Sequence, residues 1–294
     1  MDSSSRRSTT AEGAAFCRAL GALEPDERLR NPDVLARHFV TRRGWKMGLL
    51  PVLRGLARRS VERQVPGGML LHQVRTRVFD ALTLAALRDG VEQVVVLGAG
   101  GDSRGYRFPR ERAGARFFEV DHPTTSAWKR GCVDRMLGRL PANVRYVPVD
   151  FGVDALHSSL QAAGFDDRAR AFFLWEGVCM YLPMEAIDAV LSFVAGRPAG
   201  SSIAFDYLYA DAIAHAERFE GASQQAAFAA SKGEPFVSGL APEPEHLIAF
   251  LKARTLELVT SWNHEQLRAR YPGPGFLMPY VGIAHAGPAP TPRL

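Results

Sequence analysis

The residues with the most chemistry in this 294-residue chain stand in four short clusters. The first, Gly98-Ala99-Gly100-Gly101-Asp102, directly follows the apolar run QVVVL. Glycines at i and i+2 allow a tight turn and let a ligand approach the backbone closely. In the second, Glu119-Val120-Asp121, Asp121 lies 23 residues beyond Gly98. That is near the spacing at which an acidic residue takes the hydroxyls of a ribose. Residues i and i+2 of an extended chain point the same way, so either Glu119 or Asp121 can serve. Asp150-Phe151 offers a carboxylate for an adenine amino group and a ring to pack on the base. Glu176, which follows AFFLW, can bind an ammonium or a metal, or act as a base.

Taken singly, each cluster has an ordinary explanation. Carboxylates at strand ends cap helices, and glycines after strands are common turn residues. Four successive strand ends with ligand-competent residues are harder to dismiss. Together they suit an adenosine-bearing cofactor that also carries a cationic group. A G-x-G-x-x-G dinucleotide loop needs its third glycine where Ser103 stands, which counts against a nicotinamide cofactor.

These clusters need elements to hold them. Gln93–Leu97 is a continuous apolar run, the mark of a strand buried on both faces. Arg116–Val120, Val144–Val149, Ala171–Trp175 and Ser202–Phe205 repeat the pattern, with helical stretches at 155–163 and 184–196. A long helix is expected over 70–88, with apolar residues at 71, 74, 78, 82 and 85. Alternation of this kind predicts an α/β fold, a doubly wound parallel sheet that binds ligands at its carboxyl edge. Ahead of it, residues 1–10 read as a tail and 11–69 as a helical cap. The cap is expected to hold a helix over 11–23 and another starting at Asn31-Pro32. Residues 41–59 mix basic and apolar residues, interrupted by Gly48, Pro51 and Gly55. They suit either a surface-seeking amphipathic segment or, as the favoured reading, part of the cap. After the fifth strand, an Ala-rich helical run over 208–232 and a Pro- and Glu-rich stretch to 246 suggest a lid at about 208–250. Late strands follow at Leu256–Trp262 and Tyr280–His285, so residues 70–294 form one decorated domain.

Composition narrows the class. With 47% hydrophobic and 23% charged residues the chain is an ordinary globular protein. Cys17, Cys132 and Cys179 form neither a disulfide framework nor a C-x-x-C metal pair. No apolar run reaches the length of a membrane span, no secretory h-region opens the chain, and a cytoplasmic protein is expected. The net charge is +5, of which residues 1–80 carry +7 and the remainder −2. A nucleic-acid groove would want a basic core, so that partner class is disfavoured.

The motifs VVVLGAGGDSRGYRF, FFEVDHP, VPVDF and FLWEGVCMYLPMEAI, in this order, resemble the leucine carboxyl methyltransferase family. That family belongs to the class I S-adenosylmethionine-dependent methyltransferases, with bacterial members that act as O-methyltransferases of polyketide and other secondary metabolism. The resemblance is strong over about 70–207. It implies a Rossmann-like seven-stranded sheet with one antiparallel strand, and S-adenosylmethionine as cofactor. It also implies roles. Gly98, Gly100 and Asp102 would sit against the cofactor, and Asp121, with Glu119 as alternate, would hold the ribose. Asp150 and Phe151 would hold the adenine, and Glu176 would reach the ammonium end. Arg75, or else Arg77, matches the arginine that clamps the cofactor carboxylate; Arg18 matches a second basic residue, with a solvated helix face as its other reading. The cap and lid do not match the phosphatase-modifying members, so a small metabolite is the expected acceptor.

Methyl transfer asks mainly for alignment and exclusion of water. A carboxylate acceptor, with a pKa of about 4, needs no base; a phenol, near 10, benefits from one. His122, His215, His246 and His264 have no spacing that singles one out, and no catalytic base is assigned. Tyr181 and Tyr207 are expected pocket walls. The rival functions are a nicotinamide-dependent oxidoreductase and a non-catalytic protein that binds S-adenosylmethionine. If the basic N-terminal quarter has a purpose, it is drawing in an anionic acceptor through Arg42, Arg43, Arg58 and Arg59.

Overall fold

The computed structural model describes residues 9–150, 156–273 and 275–289. Phe151 and most of the expected N-terminal tail therefore lie outside the described residues, although Thr9 and Thr10 already belong to the first helix. The N-terminal region holds α1 (Thr9–Gly21), α2 (Arg42–Leu49) and α3 (Pro51–Gln64). A break at Leu50-Pro51 separates α2 from α3, because Pro51 has no amide to continue the first helix and a φ ready to start the second. Gly55, in contrast, is absorbed within α3. The helix expected to start at Asn31-Pro32 does not form. Instead Asn31 turns inward, accepting from the Asp33 amide and donating to the His72 carbonyl and Thr76. Only a single 3-10 turn, Ala36–Phe39, follows. The local polar bonds win over helix propensity there.

Residues 68 onward alternate as expected: α4 (Gly68–Arg88), β1 (Gln93–Leu97), α5 (Arg104–Arg107), β2 (Arg116–Asp121), α6 (Pro123–Leu137), β3 (Val144–Pro148), α7 (Leu156–Ala162), β4 (Ala171–Trp175), α8 (Met184–Ala195) and β5 (Ser202–Leu208). The expected 208–232 helix is split into α9 (Ala210–Ala214) and α10 (Ala222–Ser231), separated by a 3-10 turn and by Gly221 at φ +82°. The chain closes with α11 (Pro244–Lys252), β6 (Leu256–Trp262), α12 (His264–Arg270) and β7 (Val281–Pro288).

One sheet takes all seven strands, in the order β3-β2-β1-β4-β5-β7-β6. The first five run parallel, and β7 is antiparallel to both β5 and β6. Every residue of β1 and β4 is buried, which explains their unbroken apolar runs. At the edge, β6 alternates less and more exposed positions over Leu256–Val259 and is half-buried from Thr260 to Trp262. Chain order diverges between β1 and β4, which makes their carboxyl ends the topological switch point and opens a crevice there. Among the described residues no helix is long and apolar enough to cross a membrane.

Candidate functional site

A cavity of about 860 Å³ fills this crevice, within the range of ligand sites. Its floor is the glycine loop after β1, Asp121 at the end of β2, and Glu176, Gly177, Val178, Met180 and Tyr181 after β4. The walls come from α1, α3 and α4 on one side, and from α10 with Glu234 and Phe236 on the other. Of the expected site residues, Arg75, Gly98, Gly100, Asp102, Asp121, Glu176 and Tyr181 line it. Glu119, Asp150 and Tyr207 do not.

The loop needs its glycines for space as well as for backbone freedom. Gly98 has φ +65°, and a Cβ there would lie 2.4 Å from Val178 Cγ2. Gly100 has φ +41°, and its amide donates to Asp121 Oδ2 at 2.5 Å. The other oxygen of Asp121 accepts from the His122 amide at 2.7 Å. Burial pushes this carboxyl up, while the two amides pull it back. The carboxylate is thus fixed at the lip of the loop by backbone amides, and among the described residues it has no ion-pair partner.

Glu119 faces the same side of β2 as Asp121 but lies one step deeper. It accepts from Lys129 at 2.9 Å and from the Tyr106 hydroxyl at 2.8 Å, and it is buried. Burial pushes its carboxyl up to about 7, against the opposing pull of Lys129. Lys129 also donates to the Ala99 carbonyl at 3.3 Å. The pair is a buttress beneath the loop, and Glu119 does not line the cavity. Asp150 stands half exposed, 4.0 Å from His122 Nε2. Tyr207 is packed in the core against Gly282, where any side chain would collide with its ring.

Arg75 and Glu176, expected to hold the carboxylate and the ammonium of the cofactor's amino-acid end, are bound to each other. Arg75 Nε meets Glu176 Oε1 at 3.1 Å, and Nη1 meets Asp206 Oδ2 at 2.9 Å. Glu176 Oε2 is held by Arg104 at 2.8 Å; the two guanidiniums overcome burial and keep its carboxyl at about 2. Arg104 continues to Asp102 and Asp80, and Arg107 joins Asp80 to Asp33. Arg18, buried and not solvated, closes the chain of contacts by binding Asp33 at 3.0 Å and the Gly101 carbonyl at 2.8 Å. Arg77 donates to the carbonyls of Glu27 and Arg30 and does not line the cavity. His72 sits beside Arg75 at 3.2 Å; since a guanidinium only donates, His72 Nδ1 accepts. Burial and the nearby arginines keep this imidazole neutral.

Sequence reasoning passed over Asp206, Arg104, Lys129 and His72. Two of them carried a legible signal. Asp206 interrupts the apolar strand SIAFDYL, and a carboxylate buried on both faces of a sheet requires a cation. Lys129 is one of only four lysines and lies on a helix next to the sheet. Of the four histidines considered, only His122 lines the cavity. Among the described residues no cluster of His, Cys, Asp and Glu fits a metal.

The family model described as leucine carboxyl methyltransferase matches residues 11–195. The chain belongs to the leucine carboxyl methyltransferase family. A relative from Mycolicibacterium gilvum, named as an S-adenosyl-L-methionine-dependent methyltransferase, is 37% identical over 215 residues, covering 70% of this chain and 68% of its own. Another so named, from Mycobacterium avium, is 35% identical over 221 residues, covering 71% and 67%. Among solved structures, a DUF574 family protein of Streptomyces avermitilis has a TM-score of 0.59 at 15% identity, covering 95% of this chain and 97% of that one. A protein from Thermobifida fusca, described as a methyltransferase, has a TM-score of 0.57 at 16% identity, covering 97% and 96%. These two share the fold. Family membership makes the chain a methyltransferase that uses S-adenosylmethionine.

Proposed function

We propose that the chain transfers a methyl group to an oxygen of a small metabolite, with Asp121 as the anchor of the cofactor's ribose. The observation that carries this reading is the Asp121 carboxylate at the lip of the loop, bonded at 2.5 Å to the Gly100 amide and facing the cavity. The donor set fits the cofactor. Four buried arginines (Arg18, Arg75, Arg104 and Arg107) stand against five carboxylates (Asp33, Asp80, Asp102, Glu176 and Asp206), with Asp121 as a sixth. The surplus negative charge suits a ligand bearing a sulfonium and an ammonium. Arg75, joined to Glu176 and Asp206, presents both signs of charge to the amino-acid end, so a carboxylate and an ammonium each find a partner. Gly98 and Gly100, at φ +65° and +41°, let the loop turn so that its backbone lines the cavity.

When bound, S-adenosylmethionine would supply an electrophilic methyl group, held over the loop at Gly98 and Gly100 and beside Asp121. The chain's part is to orient and to exclude water. The acceptor belongs in the half of the chamber lined by Leu53, Leu56, Phe228, Phe236 and Met278, between the cap at 11–69 and the lid at about 208–250. Burial raises the Tyr181 hydroxyl, which keeps it a neutral hydrogen-bonding group at the chamber wall. His72, held neutral, is a second such group.

Calorimetry tests the reading. The chain should bind S-adenosylhomocysteine with a micromolar constant and give no heat with NAD, on the order of −8 kcal/mol for the former. Asp121→Ala should lose that binding while the protein stays folded. Binding of NAD in place of S-adenosylhomocysteine would sink the proposal.

A further inference from the structure

Ten large apolar side chains are exposed among the described residues, and four of them fall between positions 49 and 56. Leu49, Leu50, Val52 and Leu56 are 50%, 57%, 76% and 53% exposed. They form the corner where α2 turns into α3, and none of the 14 residues of α3 is fully buried. On α3, Val52, Leu56, Arg59 and Arg63 recur at helical spacing, so they share one outward stripe. It is aliphatic at the corner and cationic further along. Exposed Arg42 and Lys46 add charge from α2. The acidic side chains that reach these helices are engaged, Glu24 by Arg58, Glu62 by the amides of Gly67 and Met69, and Glu12 by the Thr41 amide.

Aliphatic tips beside cations that form no ion pair among the described residues are the features that bind a helix to the surface of an anionic bilayer. A second copy of the chain fits poorly, since a two-fold contact would press Arg42, Lys46, Arg59 and Arg63 against their own equivalents. Protein interfaces also favour aromatic side chains, and the exposed apolar side chains described at this corner are all aliphatic. We propose that the α2–α3 corner docks the protein on an anionic lipid surface. The inference stands on the surface and does not depend on the methyl-transfer reading. It has a consequence for the site. Leu56 both lines the chamber and is exposed, so the chamber meets the outside at the docking corner. Docked in this way, it opens toward the acyl boundary, where a lipid-soluble acceptor would concentrate.

Co-sedimentation of the full chain with vesicles is the test. Vesicles of phosphatidylcholine with about a third phosphatidylglycerol should bind the chain at least about tenfold more strongly than phosphatidylcholine alone, and less so as salt rises. Leu50→Ser combined with Val52→Ser should lose about tenfold or more of that binding. Lys46→Gln and Arg59→Gln should each weaken it about fivefold. None of these four residues lines the chamber, so S-adenosylhomocysteine binding should be unchanged in every variant, which also reports correct folding. A wild-type chain left in the supernatant with both vesicle types overturns the proposal. So does a dimer in light scattering that the serine pair dissociates without any vesicle binding, which would give the corner to a second copy.

Discussion

Two carboxylates two residues apart on β2 have opposite fates, set by depth. Asp121 reaches the cavity and is fixed by backbone amides, while Glu119 is enclosed by Lys129 and Tyr106. With its carboxyl pushed up from 4.5 to about 7, Glu119 binds a proton more tightly in the folded chain than in the unfolded one. Its contribution to stability is therefore full below about pH 4.5 and lost as pH rises through about 7. Glu119→Gln should flatten the fall in melting temperature across that window, read as a slope in thermal unfolding at a series of pH values. An unchanged slope would show that another group titrates there. The pair i, i+2 was visible in the sequence, but depth along the strand was not. Which carboxylate meets ligand depends on where the strand ends relative to α6, and Lys129 lies on that helix.

The elements carry the next level of constraint. The glycine loop after β1 is pressed from the other side by the loop after β4, since Val178 occupies the space a Gly98 side chain would take. Gly98→Ala should cost about 1–2 kcal/mol for the left-handed backbone alone, with more from the 2.4 Å contact. Urea unfolding should register that loss, and calorimetry a loss of S-adenosylhomocysteine binding. Adding Val178→Ala should relieve the contact and return part of the stability, but not the backbone cost. Full recovery in the double variant would mean that the backbone conformation is not strained. Strands and the long helix α4 were legible because burial on both faces and a 3.6-residue period leave marks in the sequence. The segment after Asn31 was misread because its bonds run to His72 and Thr76, more than forty residues away.

At the scale of the molecule, the arginine–carboxylate web joins α1, the turn at Asp33, α4, the glycine loop and β5 into one unit around the cavity. Thr10 on α1 also donates to Glu234 on the lid, so the cap and lid meet across the chamber. A ligand that fills the chamber should therefore stabilise the whole fold. At a concentration about a hundred times its dissociation constant, S-adenosylhomocysteine should contribute roughly 2.7 kcal/mol, or about 4–8 °C in melting temperature. NAD at the same concentration should give no shift. The basic excess of the N-terminal quarter divides on this scale. Arg18 and Arg75 are buried in the web, Arg58 is spent on Glu24, and Arg42 and Arg59 face outward with no part in lining the chamber. An anionic acceptor drawn in by those outward charges thus finds no cation from them inside.

The sequence alone determined the α/β class, the strand ends that bear ligand-competent residues, and the family, because these depend on local patterning and on short motifs. Tertiary structure alone decided the partners. Arg75, Arg104, Glu176 and Asp206 come from four separate stretches of chain, with Glu176 lying 101 positions and Asp206 lying 131 positions beyond Arg75. A buried charge must find its opposite somewhere, and the sequence announces the need. Only the folded chain, by bringing the ends of β1, β4 and β5 together, determines which opposite charge answers it.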